Sequence, residues 1–117
     1  MAELGDTDRQ APLRVGVAVI DSGLEMSYEF YGRVTASYDF TNGQTRSAYP
    51  TDPYGHGTHV AGTIAGSGAL SYNRSYRGLA PDVKLVILKV LDANGAGYTS
   101  DVIRAIDFAV ANRNTLG

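Results

Sequence analysis

Asp21 and His56 are the residues of this chain whose types and settings could do chemistry together. Asp21 directly follows the apolar run Val-Ala-Val-Ile20 and opens the turn Asp21-Ser-Gly23. In open α/β sheets, reactive groups collect at the carboxyl ends of strands. A carboxylate there is held by a rigid element, and the turn behind it supplies backbone N–H groups that keep it ionised. The plain alternative is a strand-end aspartate that only caps local backbone. His56 stands between Gly55 and Gly57, small neighbours that leave room for a substrate beside the imidazole. Imidazole is the natural general base near neutral pH. Standing alone, His56 reads more readily as a helix-start histidine that binds nothing. His59, three residues on, raises the question of a metal. The segment has no glutamate and the chain no cysteine, so the usual ligand company is missing. No metal is expected there, and His59 is expected to pack or hydrogen-bond in a supporting role.

The elements that must position these residues are legible as periodicity. Residues 15–20 form a continuous apolar, largely β-branched run, which suits a strand buried on both faces of a parallel sheet. Residues 34–40 read as a second, shorter strand, and 84–90 as another strong buried strand. The stretches 41–54 and 67–78 read as loops, and 92–97 as a turn-rich link. Residues 55–64 read as a helix in spite of their glycines, each of which costs about 1 kcal/mol against alanine. A close backbone or ligand contact would account for keeping them. A second helix is expected over 100–112, capped by Thr99 or Ser100, with Asp101 in the first turn. Val102, Ile106, Ala109 and Val110 form its expected apolar stripe. Strands alternating with helices predict an α/β fold with a parallel sheet.

Composition narrows the function classes. The chain has 117 residues, 44% hydrophobic and 19% charged, with a net charge of −2. A nucleic-acid partner is not expected, because such binding shows a basic patch or stripe. The longest apolar run is far too short to span a membrane, and no membrane association is expected. Without cysteine, disulfides, thiolate catalysis and cysteine-based zinc sites are excluded. Residues 1–13 read as a lead-in segment with no signal-peptide run, and 14–117 as one domain. The compartment is left open.

Taken together, Val-Ile-Asp21-Ser-Gly after a strand and the later Gly-His56-Gly-Thr-His-Val-Ala-Gly-Thr resemble the subtilisin-like serine proteases, peptidase family S8. The likeness runs on through Arg77-Gly-Leu-Ala-Pro81, the stretch 85–92 and Gly95-Ala-Gly97. The resemblance implies a three-layer parallel sheet with helices on both faces, here incomplete. It implies peptide-bond hydrolysis by an Asp-His-Ser triad, in which Asp21 orients the imidazole and His56 shuttles the proton. It implies a polypeptide substrate paired as an added strand along Gly95, Ala96 and Gly97, with Leu91 and Val102 at an apolar specificity pocket. Read without the family, Gly95 and Gly97 could simply be turn residues. No cofactor is implied. Some relatives hold calcium where 67–78 falls, but that loop has no carboxylate, so no calcium is expected.

The family also requires an opposite substrate-binding strand, an oxyanion-hole asparagine and a Gly-Thr-Ser segment. None of the serines after His56, at 67, 71, 75 and 100, has that setting, and Ser22 sits in the aspartate turn. The chain is therefore expected to be the N-terminal part of a catalytic domain, inactive alone, with the missing C-terminal part as its partner. Two other readings stand beside this one: a non-catalytic α/β fragment, and a receiver-like signalling module with Asp21 as phosphoryl acceptor.

Overall fold

A computed structural model describes residues 15–72 and 75–116. The lead-in segment 1–13 and Asn73 of the loop lie outside the described residues. Four strands form one sheet in the order β1-β4-β2-β3, with β1 at Gly16–Asp21, β2 at Val34–Asp39, β3 at Arg46–Ser47 and β4 at Lys84–Lys89. β4 runs parallel to both β1 and β2. Its inner residues Leu85 to Leu88 are all buried, as its unbroken apolar run demands of a strand covered on both faces. The short β3 pairs antiparallel with β2 inside the stretch read as a loop. Two residues carry no periodicity, so this strand had no signal in the sequence; it makes the sheet mixed at one edge.

Helices cover both faces. Helix α1, His56–Ala65, packs Ala61 and Ala65 against Val19, Leu85 and Ile87. Helix α2, Thr99–Ala111, packs Ala105 against Val86, Leu88 and Val90 on the other face, with Phe40 beside them. A short helix α3, Arg113–Leu116, follows. Burying a Leu or Ile of this kind is worth about 1.5–3 kcal/mol relative to exposure, so the alternating faces of β4 tie the three layers together. Among the described residues, no helix is long and apolar enough to cross a membrane.

Two expectations for α2 are corrected. Its N-cap is Tyr98, with no side-chain cap bond from Thr99 or Ser100. The stripe is turned as well: Ile106 and Val110 are 47% and 58% exposed, and the sheet-facing residues are Val102, Ala105, Phe108 and Ala109. The side chain of Ala105 lets the helix approach the sheet closely, and the residues one position further on are left at the flank. Asp101 stands in the first turn as expected and is buried in this interface. Its Oδ1 accepts from the Arg104 guanidinium (2.8 Å) and from Gly43 N–H (3.2 Å).

Candidate active site

β1 ends on Asp21, and the extension of β4 grips that end: Val90 N–H and Leu91 N–H donate to the Asp21 carbonyl at 2.8 and 3.3 Å. The carboxylate accepts Ser22 N–H at 2.7 Å. His56 is the first residue of α1. Its Nδ1 lies 2.8 Å from Asp21 Oδ1 and 2.9 Å from Oδ2. A carboxylate can only accept, so Nδ1 carries a proton, and in the neutral ring Nε2 is then the nitrogen with the lone pair. The Asp21 side chain is 13% exposed and the His56 side chain 57%. The carboxylate is thus shielded while the imidazole ring is exposed.

The close meeting depends on backbone packed directly on backbone. A Cβ on Gly57 would stand 2.2 Å from Gly23 O, so only glycine lets α1 rest on the Asp21-Ser-Gly23 turn. Gly23 itself has φ +113°, outside the range open to other residues. The helix glycine at 57 therefore has the close backbone contact its cost required.

The structure places the expected substrate-binding residues beyond β4. Asp92 N–H donates to Ala96 O at 2.8 Å, and Ala96 N–H donates to Asp92 Oδ1 at 3.0 Å. Both backbone groups of Ala96 are therefore spent inside the turn. Among the described residues, the N–H and C=O of Gly97 make no hydrogen bond. Hydrogen bonds from Ala96 and Asn94 N–H hold the exposed Asp92 carboxyl below its ordinary pKa. Leu91 and Val102 are half-buried against the Phe40–Val90 cluster. A cleft of ≈220 Å³ opens beside this turn, lined by Ala96, Gly97, Tyr98 and Asp101 among others, but neither Leu91 nor Val102 lines it. Nor do Asp21 and His56 line the ≈440 Å³ polar cleft between β2, β3 and residues 48–51.

His59 corrects another expectation: its ring is exposed and makes no hydrogen bond among the described residues. Ser22 is 1% exposed, donating to Asp52 Oδ1 at 2.7 Å and accepting Gly57 N–H at 2.8 Å, so its hydroxyl is not available as a nucleophile. Two residues were missed in the sequence. Tyr54 lays its ring over Gly95, where a Cβ would be 2.3 Å from Tyr54 Cζ. Asp52, 6% exposed, lies beneath the pair. Burial pushes the Asp52 carboxyl up, but hydrogen bonds from Thr58, Gly55 and Ser22 together outweigh it, and the group titrates below its ordinary value. A carboxylate depressed in the folded state stabilises the fold above the unfolded pKa, about 3.9, and loses that contribution as pH falls through the folded value. The stability gap between the wild type and Asp52→Asn, followed by thermal melts, is therefore expected to narrow below about pH 4. A gap that stays constant with pH would show that the ionised form is not what the network holds.

An α/β chain that brings a strand-end carboxylate against a helix-start imidazole has the arrangement of two members of a serine-hydrolase triad. The Subtilase family model matches residues 14–116, and the chain belongs to that family. It is 40% identical to Serine protease AprX of Bacillus subtilis over 82% of this chain and 21% of that protein. It is 39% identical to Subtilisin DY of Bacillus licheniformis over 84% of this chain and 33% of that protein. The crystal structure of a cold adapted subtilisin-like serine proteinase superposes with a TM-score of 0.68 at 40% identity, over 84% of this chain and 32% of that one. The chain thus spans between a fifth and a third of these relatives. Family membership removes the receiver-like reading, and the Asp21 carboxylate is in any case engaged by His56 and Ser22 N–H.

Proposed function

We propose that this protein is a subtilisin-like serine endopeptidase and that residues 14–117 form the N-terminal part of its peptidase domain. The observation that carries the reading is the 2.8 Å contact between His56 Nδ1 and Asp21. In this reading His56 Nε2 takes the proton of a serine hydroxyl as it attacks the scissile carbonyl, and later gives it to the leaving amine. Asp21 holds the Nδ1–H tautomer and stabilises the imidazolium. The polypeptide substrate lies as an added strand along Gly95, Ala96 and Gly97. The unspent backbone groups of Gly97 support this, since an extended peptide offers complementary N–H and C=O groups. Leu91 and Val102 would wall the apolar side of the subsite next to that strand.

The serine comes from a segment outside these 117 residues, which would pair with the open edge of β1. The chain alone is then inactive. Incubated with casein it is expected to give no turnover above buffer; fused to the serine-bearing portion of a family member, it is expected to hydrolyse casein and to be silenced by a serine-directed phosphonate. Turnover by the chain alone would overturn the division of labour. A folded fusion without turnover would overturn the peptidase reading.

A further inference from the structure

We propose that Asp52 is the positioning residue of the Asp21–His56 pair: one carboxylate fixes the strand-end turn and the helix start to each other. The inference rests on the reading of those two residues as the working pair. Asp52 Oδ1 accepts Ser22 Oγ–H at 2.7 Å and Gly55 N–H at 2.8 Å. Its Oδ2 accepts Thr58 N–H at 2.8 Å and Thr58 Oγ1–H at 2.5 Å. Ser22 Oγ in turn accepts Gly57 N–H at 2.8 Å. Residues 55, 57 and 58 on either side of His56 therefore hang on Asp52, directly or through Ser22, and Ser22 is the residue next to Asp21.

The start of α1 has no side-chain bond from its own N-cap residue. Its N-cap is Gly55, which offers no side chain and sits at φ +96°. An ordinary cap accepts the N–H of the third helical residue. Here that residue is Thr58, and Asp52 accepts its N–H from three residues before the cap. Two glycines flank His56, so an uncapped first turn would fray and carry the imidazole with it. The packing of Gly57 on Gly23 excludes side chains from the contact, so no interlocking there sets the lateral position of the helix. Asp52 is itself anchored to the sheet through its neighbour. Thr51 O accepts Leu24 N–H at 3.2 Å, and Thr51 Oγ1 accepts from Lys89 Nζ at 3.0 Å. The low pKa of the carboxyl agrees with a group held ionised by its donors. Asp52 touches no reacting atom; it acts through Ser22 and the first turn of α1.

The test uses the 117-residue chain and the deshielded Nδ1 proton that a histidine–carboxylate bond gives in proton NMR. Wild type is expected to show this signal from His56; its absence there would strike the pair itself, not Asp52. In Asp52→Ala and Asp52→Asn the signal is expected to be lost, and exchange of the Gly57 and Thr58 amides to quicken about 10- to 100-fold, the factor for losing a charge-assisted hydrogen bond. Ser22→Ala, which cuts one link only, is expected to weaken the signal and decides the matter if Asp52→Ala does not fold. Glu29→Ala is the comparison. Glu29 is likewise a carboxylate tied to backbone, but it holds the loop that follows α1, accepting Gly68 N–H at 2.9 Å and Leu70 N–H at 2.7 Å. It is expected to leave the His56 signal intact. The proposal is overturned if the signal survives in Asp52→Ala and Asp52→Asn, or if Glu29→Ala removes it equally.

Discussion

His56→Ala, made in the chain fused to the serine-bearing portion of a relative, is expected to lower kcat on a peptide substrate by about 10⁶-fold, and Asp21→Asn by about 10⁴-fold. This scale is set by triad replacements in subtilisin, itself a member of this family, and in chymotrypsin-type enzymes. The physical reason for the difference is visible in the pair. In the proposed reading, alanine at 56 removes the group that takes the hydroxyl proton. Asparagine at 21 leaves the ring in place but can offer an amide N–H to Nδ1 instead of a lone pair. The ring then prefers its proton on Nε2, where no lone pair remains for the serine. KM is expected to change little in both variants, because in the proposed reading the substrate pairs along Gly95–Gly97, to which neither residue belongs. An Asp21→Asn variant with wild-type kcat would show that the 2.8 Å contact does not set the tautomer during turnover.

The largest expected effect on stability comes from Gly23→Ala. A Cβ there would stand 2.0 Å from Thr51 O and 3.2 Å from Thr51 C, both backbone atoms, and φ is +113°. The left-handed conformation costs an L-residue about 1–2 kcal/mol, and overpacking of this kind about 1–3 kcal/mol. Together they predict a loss of roughly 2–5 kcal/mol in denaturant unfolding. The clash falls on residue 51, the neighbour of Asp52, so the variant is expected also to separate His56 from Asp21. Gly32→Ala is the comparison: φ is +74°, but nothing lies within 4 Å of the added Cβ. It is expected to cost only the conformational part. If Gly23→Ala proved no more destabilising than Gly32→Ala, the close approach of turn and loop would not be structurally decisive.

How much of this was legible follows from which forces leave a mark in sequence. β1, β2, β4 and the two long helices announce themselves because burial imposes a period on the residues that form them. β3 has two residues, too few for a period, and exists because β2 is there to pair with it. Of the expected face of α2, Val102 and Ala109 pack on the sheet, but Ile106 and Val110 give way to Ala105 and Phe108, since all are apolar and only the sheet decides which of them is covered. Asp101 was taken for a dipole partner, and its buried bond to Arg104 arises from what surrounds it.

The site divides in the same way. Asp21 at a strand end and His56 between two glycines could be singled out because chemistry restricts residue type, and because glycine at a helix start is costly enough to need a reason. That Gly57 pays this cost to lie on Gly23 is a fact of contact. Asp52 left no signal: in sequence it is one more aspartate in a polar loop, between Thr51 and Pro53. Its importance comes from burial and from four donors drawn from residues 22, 55 and 58, which only the folded backbone brings within reach. The amino-acid sequence by itself determined β1, β2, β4, the two long helices and the two reactive groups, because each is written in local periodicity or residue chemistry. Tertiary structure alone decided how those groups are held together, because a hydrogen bond between distant segments depends on their placement in space and imposes no pattern along the chain.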